Sequence, residues 1–356
     1  MKKIRVVVVD DSALVRSLLA EIINRQPDMV CVGAASDPLA AREMIRELDP
    51  DVITLDVEMP KMDGLEFLGR LMRLRPTPVV MISTLTERGA EVTMRALELG
   101  AVDFVAKPKS GFSDGFSAMA AQIVHKIRIA ASAKVKRVAD QPTGASQACM
   151  RPKSLPQDGR PPGTHARDKL VFIGASTGGT EAIKEVLTRL PADAPAILIT
   201  QHMPAGFTRS FAYRLNASCA MTVKEAVPGE RILSGHAYIA PGGRQFSIER
   251  RGASLVAVVE DSPLVNRHKP SVEVLFKSAA LVVREHAIGV MLTGMGSDGA
   301  RAMREMKDAG SYNIVQDEAS SVVFGMPREA IAYGAADEVI PVTQIAAALL
   351  AKFRSA

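Results

Sequence analysis

Two doubly wound α/β domains in tandem are the architecture predicted by this 356-residue sequence. Short apolar runs alternate with amphipathic helical stretches, and the alternation occurs twice along the chain. The runs are continuously apolar rather than alternating, which marks strands covered on both faces and therefore a parallel sheet. Between the two series lies a Pro-rich stretch where periodicity fails. These features divide the chain into a (βα)5 unit over residues 1–125, a helix end and basic linker over 126–168, and a second α/β unit with a mainly parallel sheet over 169–356.

In order, the first unit offers strands at residues 4–9, 30–34, 52–55, 79–82 and 102–106. Helices fall between them, the first over residues 12–24 with Leu14, Leu18 and Ile22 on one face. The linker contains Pro142, Pro152, Pro156, Pro161 and Pro162 among Gly, Ser and Gln, with too few large apolar residues for a core. The second unit begins with a strand at 170–173, a glycine turn, a helix at 181–189 and a strand at 196–200. Further strands are expected at 237–239, as a pair around 246–249 and 254–259, and at 288–292; helices are expected near 272–284 and from Asp298.

Composition narrows the function classes. With no Trp and 4 Tyr, the chain lacks the aromatic platforms that bind single-stranded nucleic acid. The net charge of +5 is matched by the segment from Ala131 to Lys169, where eight Lys/Arg face three Asp, so the basic excess belongs to a solvated tether. No stretch approaches the ~18 apolar residues of a membrane span, and the apolar run after Met1 is too short for a secretory leader. The expectation is a cytoplasmic protein with no nucleic-acid partner and no membrane insertion. Cys31, Cys149 and Cys219 have no paired spacing, which fits incidental thiols rather than disulfides or zinc.

Polar residues collect where ligands bind in such sheets, beyond the carboxyl ends of strands. In the first unit Asp10 and Asp11 follow the first strand, Asp56 ends the third, Ser83 the fourth, and Lys107 the fifth. Three carboxylates at one edge repel unless a cation sits among them, and magnesium suits so few carboxylates beside a phosphoryl group. Lys107 is placed to pair with a phosphoryl group on Asp56, and Ser83 to donate to it. Any one of these residues alone would pass as a polar strand-end cap.

The stretches VVVVDDSALVR, ITLDVEMPKMDGLEFL, VVMIST and GAVDFVAKP make residues 1–125 resemble the response-regulator receiver family. The resemblance implies phosphotransfer from a sensor histidine kinase to Asp56. It also implies a magnesium site at Asp10, Asp11 and Asp56, assisted by the Glu58 carbonyl, with Ser83, Phe104 and Lys107 as switch positions. Phe104 fits a plain core position equally well.

The second unit opens with strand, tight turn and helix around Gly174-Ala175-Ser176-Thr177-Gly178, the G-x-S-x-G pattern that lifts a serine hydroxyl above a sheet. A dinucleotide-binding loop has a similar appearance, but it wants an acid after the next strand; Gln201 and His202 stand there instead. Asp298 follows a third strand; alone it reads as a helix N-terminal residue. Together Ser176, His202 and Asp298 supply nucleophile, base and orienting carboxylate. Their chain order differs from the Ser…Asp…His of α/β-hydrolases.

IGASTGG, QHMP, AYIAPGG, VNRHKPSVEVLF, MLTGMGSDGA and QDEASSVVFGMPREAI make residues 169–350 resemble the catalytic domain of chemotaxis-type protein-glutamate methylesterases. The resemblance implies hydrolysis of glutamyl methyl esters on methyl-accepting chemoreceptors, with deamidation of selected glutamines and no metal at the triad. Thr177 and Met295 look like active-site supports. Lys269 replaces the family's usual Arg, and Ser311-Tyr312 stands where a second glycine is frequent. Rival readings are a DNA-binding regulator, which would need a helix-turn-helix and a basic face, and a nucleotide-dependent oxidoreductase.

Overall fold

Strand-forming runs that are largely apolar fold into sheets with helices on both sides. The computed structural model describes residues 2–57, 59, 64–84, 86–107, 114–135 and 169–354. The first unit runs β1 (Ile4–Val9), α1 (Ala13–Asn24), β2 (Met29–Ala35), α2 (Pro38–Leu48), β3 (Val52–Asp56), α3 (Gly64–Leu74), β4 (Val79–Thr84), α4 (Glu87–Glu98), β5 (Asp103–Lys107) and α5 (Asp114–Ser132). Its parallel sheet has the order β2-β1-β3-β4-β5. Val7 and Val9 of β1 face one apolar layer with Ile45, Leu68 and Met94, whereas Val6 and Val8 face another with Leu19, Ile23 and Ile127.

The face expected for the first helix needs correction. Leu14 is 57% exposed, and α1 buries Leu19, Ile22 and Ile23 instead. Ser12 caps the helix from outside, accepting from Val15 N, and the spacing of the later residues sets the inward stripe.

The second unit comprises β6 (Leu170–Ala175), α6 (Gly179–Leu187), β7 (Ile197–Gln201), α7 (Phe207–Ser218), β8 (Thr222–Glu225), β9 (His236–Ile239), β10 (Gln245–Arg251), β11 (Ser254–Glu260), α8 (Val272–Val282), β12 (Ala287–Met291), α9 (Ala300–Asp308), β13 (Tyr312–Gln316), α10 (Met326–Ala332), β14 (Glu338–Ile340) and α11 (Val342–Arg354). Seven strands pair in the order β14-β13-β12-β6-β7-β9-β8, all parallel, while β10 and β11 form a separate antiparallel hairpin. The helix expected from Asp298 begins at Ala300, with Gly299 at its N-cap.

Each sheet reverses its winding direction once. In the first unit the reversal lies between β1 and β3; in the second it lies between β6 and β12. Such switch points open a crevice at the carboxyl edge. The units also touch: the Phe104 ring packs against Phe207 with centroids 4.5 Å apart and planes tilted by 35°, and one apolar cluster continues across both. Residues 136–168 of the expected linker lie outside the described residues; just before them, Lys134 N donates to the Val322 carbonyl and its Nζ pairs with Glu318.

Candidate active site and phosphoacceptor site

The switch point of the first sheet carries the acidic set. Carboxylate oxygens of Asp10, Asp11 and Asp56 lie within 4.8 Å of one another. Lys107 reaches in from the end of β5, with Nζ 2.9 Å from Asp56 and 3.2 Å from Asp10. Burial opposes the Lys107 charge, but the two carboxylates outweigh it and hold its pKa above the ordinary value. An all-oxygen set of this kind fits a hard divalent cation. Glu58, the expected fourth contributor, lies outside the described residues. Ser83 is buried; its hydroxyl donates to the Gly89 carbonyl and accepts from Thr93 in α4. Phe104 is also buried, with the Lys126 ammonium 5.3 Å from its ring centroid.

Ser176, His202 and Asp298 emerge from the three neighbouring strands at the other switch point, β6, β7 and β12. Ala175 and Gln201 are register partners, so the loops bearing Ser176 and His202 leave the sheet side by side. The serine turn is held at several atoms: Ser176 N donates to Thr293 O at 3.0 Å, and Gln201 Nε2 donates to Ser176 O at 2.9 Å. A side chain at Gly294 would press on Ser176, since its Cβ would fall 2.8 Å from the serine Cβ. Gly178 turns the chain into α6 at φ +76°, a conformation natural to glycine.

His202 Nε2 lies 2.8 Å from Asp298 Oδ2, with both side chains largely buried. A carboxylate only accepts, so Nε2 carries the proton and Nδ1 keeps its lone pair. Among the described residues, His202 Nδ1 is a buried nitrogen without a hydrogen-bond partner. Asp298 also receives Asn266 Nδ2 and Ser271 Oγ, each at 2.8 Å, and Val272 N at 2.7 Å. Burial favours the neutral acid, but the His202, Asn266 and Ser271 donors push the Asp298 carboxyl down to about 2. The site thus holds a fixed anion and an imidazole with one open nitrogen, and the loop that carries the Ser176 hydroxyl leaves the neighbouring strand. That combination suits acyl transfer.

Thr177 is buried beside the serine, and its Oγ1 donates to Asp103 Oδ2 of the first unit at 2.6 Å. Met295 is 41% exposed at the rim of the Asp298 loop. A second bridge crosses between units: Glu98 pairs with Lys184 of α6 at 3.1 Å and with Arg214 of α7. Sequence reading left Asp103, Glu98, Gln201, Asn266, Ser271 and His268 without roles. Asn266 and Ser271 both lie in the VNRHKPS stretch, whose density of polar residues next to proline was the available signal. Lys269 holds the same loop, donating to Asp261 at 2.7 Å and the Ser262 carbonyl at 3.0 Å. Ser311, where a glycine is frequent, is accommodated by donating to the Arg284 carbonyl at 2.7 Å.

Residues 171–349 match the family model described as CheB methylesterase, and residues 6–112 match the response regulator receiver domain. A protein-glutamate methylesterase/protein-glutamine glutaminase 1 of Albidiferax ferrireducens is 70% identical over 356 residues, covering 100% of this chain and 95% of that protein. A protein of the same designation, numbered 3, from Burkholderia lata is 58% identical, covering 99% of this chain and 96% of its own. The crystal structure of the Thermotoga maritima CheB methylesterase catalytic domain aligns with TM-score 0.51 and 38% identity, over 52% of this chain and 98% of that one.

Proposed function

This chain belongs to the CheB methylesterase family and carries a receiver domain, and from that premise we propose a phosphorylation-controlled hydrolase acting on chemoreceptor glutamyl methyl esters through Ser176, His202 and Asp298. The observation that carries the catalytic assignment is the buried, open Nδ1 of His202 opposite its bond to Asp298. Ser176 Oγ attacks the ester carbonyl while Nδ1 takes its proton. That proton leaves with the methoxy group as methanol, and an acyl-serine remains. Water then gives a proton to Nδ1 and attacks the acyl carbon, and the proton returns to Ser176 as the glutamate departs. The N-terminus of α6, which begins three residues after Ser176, supplies a positive dipole end suited to a developing oxyanion. With a glutamine side chain the same steps release ammonia, the glutaminase activity in the relatives' names.

In the receiver, Asp56 accepts a phosphoryl group from a sensor histidine kinase. Asp10, Asp11 and Asp56 would hold magnesium, which neutralises phosphoryl oxygens when bound. The oxygen cluster supports that reading. Lys107, already between Asp10 and Asp56, is positioned to pair with the phosphoryl group. In the unphosphorylated protein the receiver lies over the catalytic cleft, and phosphorylation releases it. The Asp103–Thr177 bond beside the nucleophile and the Phe104–Phe207 ring contact support this arrangement. No described helix is long and apolar enough to cross a membrane, and the substrate, the cytoplasmic bundle of a chemoreceptor, puts the enzyme in the cytoplasm.

Methanol release from a methylated receptor fragment, measured with and without a small phosphodonor and magnesium, tests the coupling. Wild-type protein is expected to be stimulated. Asp56→Ala should keep the unstimulated rate and give a stimulation ratio near one, whereas undiminished stimulation would place the phosphoacceptor elsewhere.

A further inference from the structure

His268 stacks on His202 face to face, with ring centroids 3.7 Å apart and planes within 4° of parallel. Aromatic pairs left to themselves prefer offset or edge-on contacts, so this stack is imposed by what holds His268. The backbone does so at both ends. His268 N donates to the Val265 carbonyl at 2.8 Å, and Val265 N donates back to His268 O at 3.1 Å. Gln245 Nε2 also donates to the His268 carbonyl, at 3.0 Å. The two residues between them, Asn266 and Arg267, sit at φ 51° and 68°, a left-handed conformation that non-glycine residues adopt at a cost.

The same loop grips the other half of the His–Asp pair, because Asn266, Ser271 and Val272 N all donate to Asp298. His202 is tethered through one ring nitrogen only, which leaves its ring free to tilt about that bond. A flat wall on one face removes the tilt and keeps Nδ1 on a fixed line. Burial pushes His268 down to about 4, so at neutral pH the wall is uncharged and does not repel the imidazolium that forms on His202. Its π face instead lies against that cation.

We propose that His268 is a positioning residue for the hydrolysis, a plate that sets the plane of the His202 imidazole. The inference rests on His202 being the general base. Steady-state kinetics on a methylated receptor fragment, with the full-length protein, magnesium and a phosphodonor, separate the possibilities. His268→Ala is expected to lower kcat about 10- to 100-fold, the scale of a misaligned catalytic group, and to leave KM within about twofold. His268→Phe keeps a flat ring and should recover kcat to within about threefold of wild type. His268→Gln keeps polarity without the ring and should stay as slow as His268→Ala. Unchanged kcat in His268→Ala overturns the proposal, and so does a His268→Phe enzyme as slow as His268→Ala. Ser176→Ala assayed in parallel keeps the two readings apart: an active Ser176→Ala enzyme defeats the triad itself, whereas an inactive one beside an unimpaired His268→Ala defeats only the plate.

Discussion

Ser176→Ala should lower methanol release from a methylated receptor fragment by about 10⁴- to 10⁶-fold, the usual consequence of losing a triad nucleophile. The loss should fall on kcat, because the hydroxyl acts only on the reacting carbon. Folding should be untouched: the serine turn is held by backbone groups, Ser176 N on Thr293 O and Ser176 O on Gln201 Nε2, which alanine retains. A thermal midpoint equal to wild type, measured on the same preparation, identifies the defect as chemical. A Ser176→Ala enzyme with a rate comparable to wild type would transfer the nucleophile's role to another residue.

Asp298→Asn should cost about 10⁴-fold in kcat, through the tautomer rather than through binding. The carboxylate accepts from His202 Nε2 and so leaves Nδ1 open. An amide can present its N–H₂ to the ring, which moves the ring proton to Nδ1 and closes the base. The substitution also changes acid stability. A carboxyl held at about 2 in the fold, against an ordinary 3.8, binds its proton more readily when unfolded. Its contribution is therefore complete above about pH 4 and is lost as pH falls toward 2, on the order of 2 kcal/mol in all. Chemical denaturation from pH 7 to pH 2 should show the wild type losing this increment and Asp298→Asn lacking it. Equal acid sensitivity in both proteins would mean that Asp298 is not held as the anion.

The first sheet and the centre of the second were readable because the apolar runs of β1, β3, β6, β7 and β12 are self-contained and a chemical residue ends or follows each, whereas β8 and β13, with polar residues in TVKE and YNIVQ, carry no such run and were not predicted. Val6 to Val9 need no knowledge of the rest of the chain to be read as a buried strand, and Asp10 announces its end. Short elements were harder. β14 has three residues and its central Val339 is 45% exposed, so it carries almost no pattern of its own. The buried face of α1 differs from the Leu14 stripe because helical spacing admits more than one stripe, and packing on β1 selects Leu19 and Ile23. Asp103, Glu98 and His268 escaped for a different reason. Their roles lie in partners 74, 86 and 66 positions away respectively, at Thr177, Lys184 and His202, and no local signal encodes such meetings.

Glu98 ties Lys184 to Arg214, and these two basic residues lie on the helices that leave the Ser176 turn and the His202 loop. One carboxylate thus binds the receiver to both walls of the cleft through partly solvated charges, which dissolved ions weaken: the Debye length shrinks from about 10 Å at 0.1 M to about 3 Å at 1 M. If the receiver restrains the resting enzyme as proposed, its unstimulated rate should depend on the electrolyte. Unstimulated turnover should climb between about 0.05 and 0.5 M sodium chloride, while Glu98→Gln should start higher and respond less. A wild-type rate indifferent to salt would show that the apolar contact alone sets the resting grip. Internal ionic conditions would otherwise reset the adaptation machinery with no phosphate transferred at all.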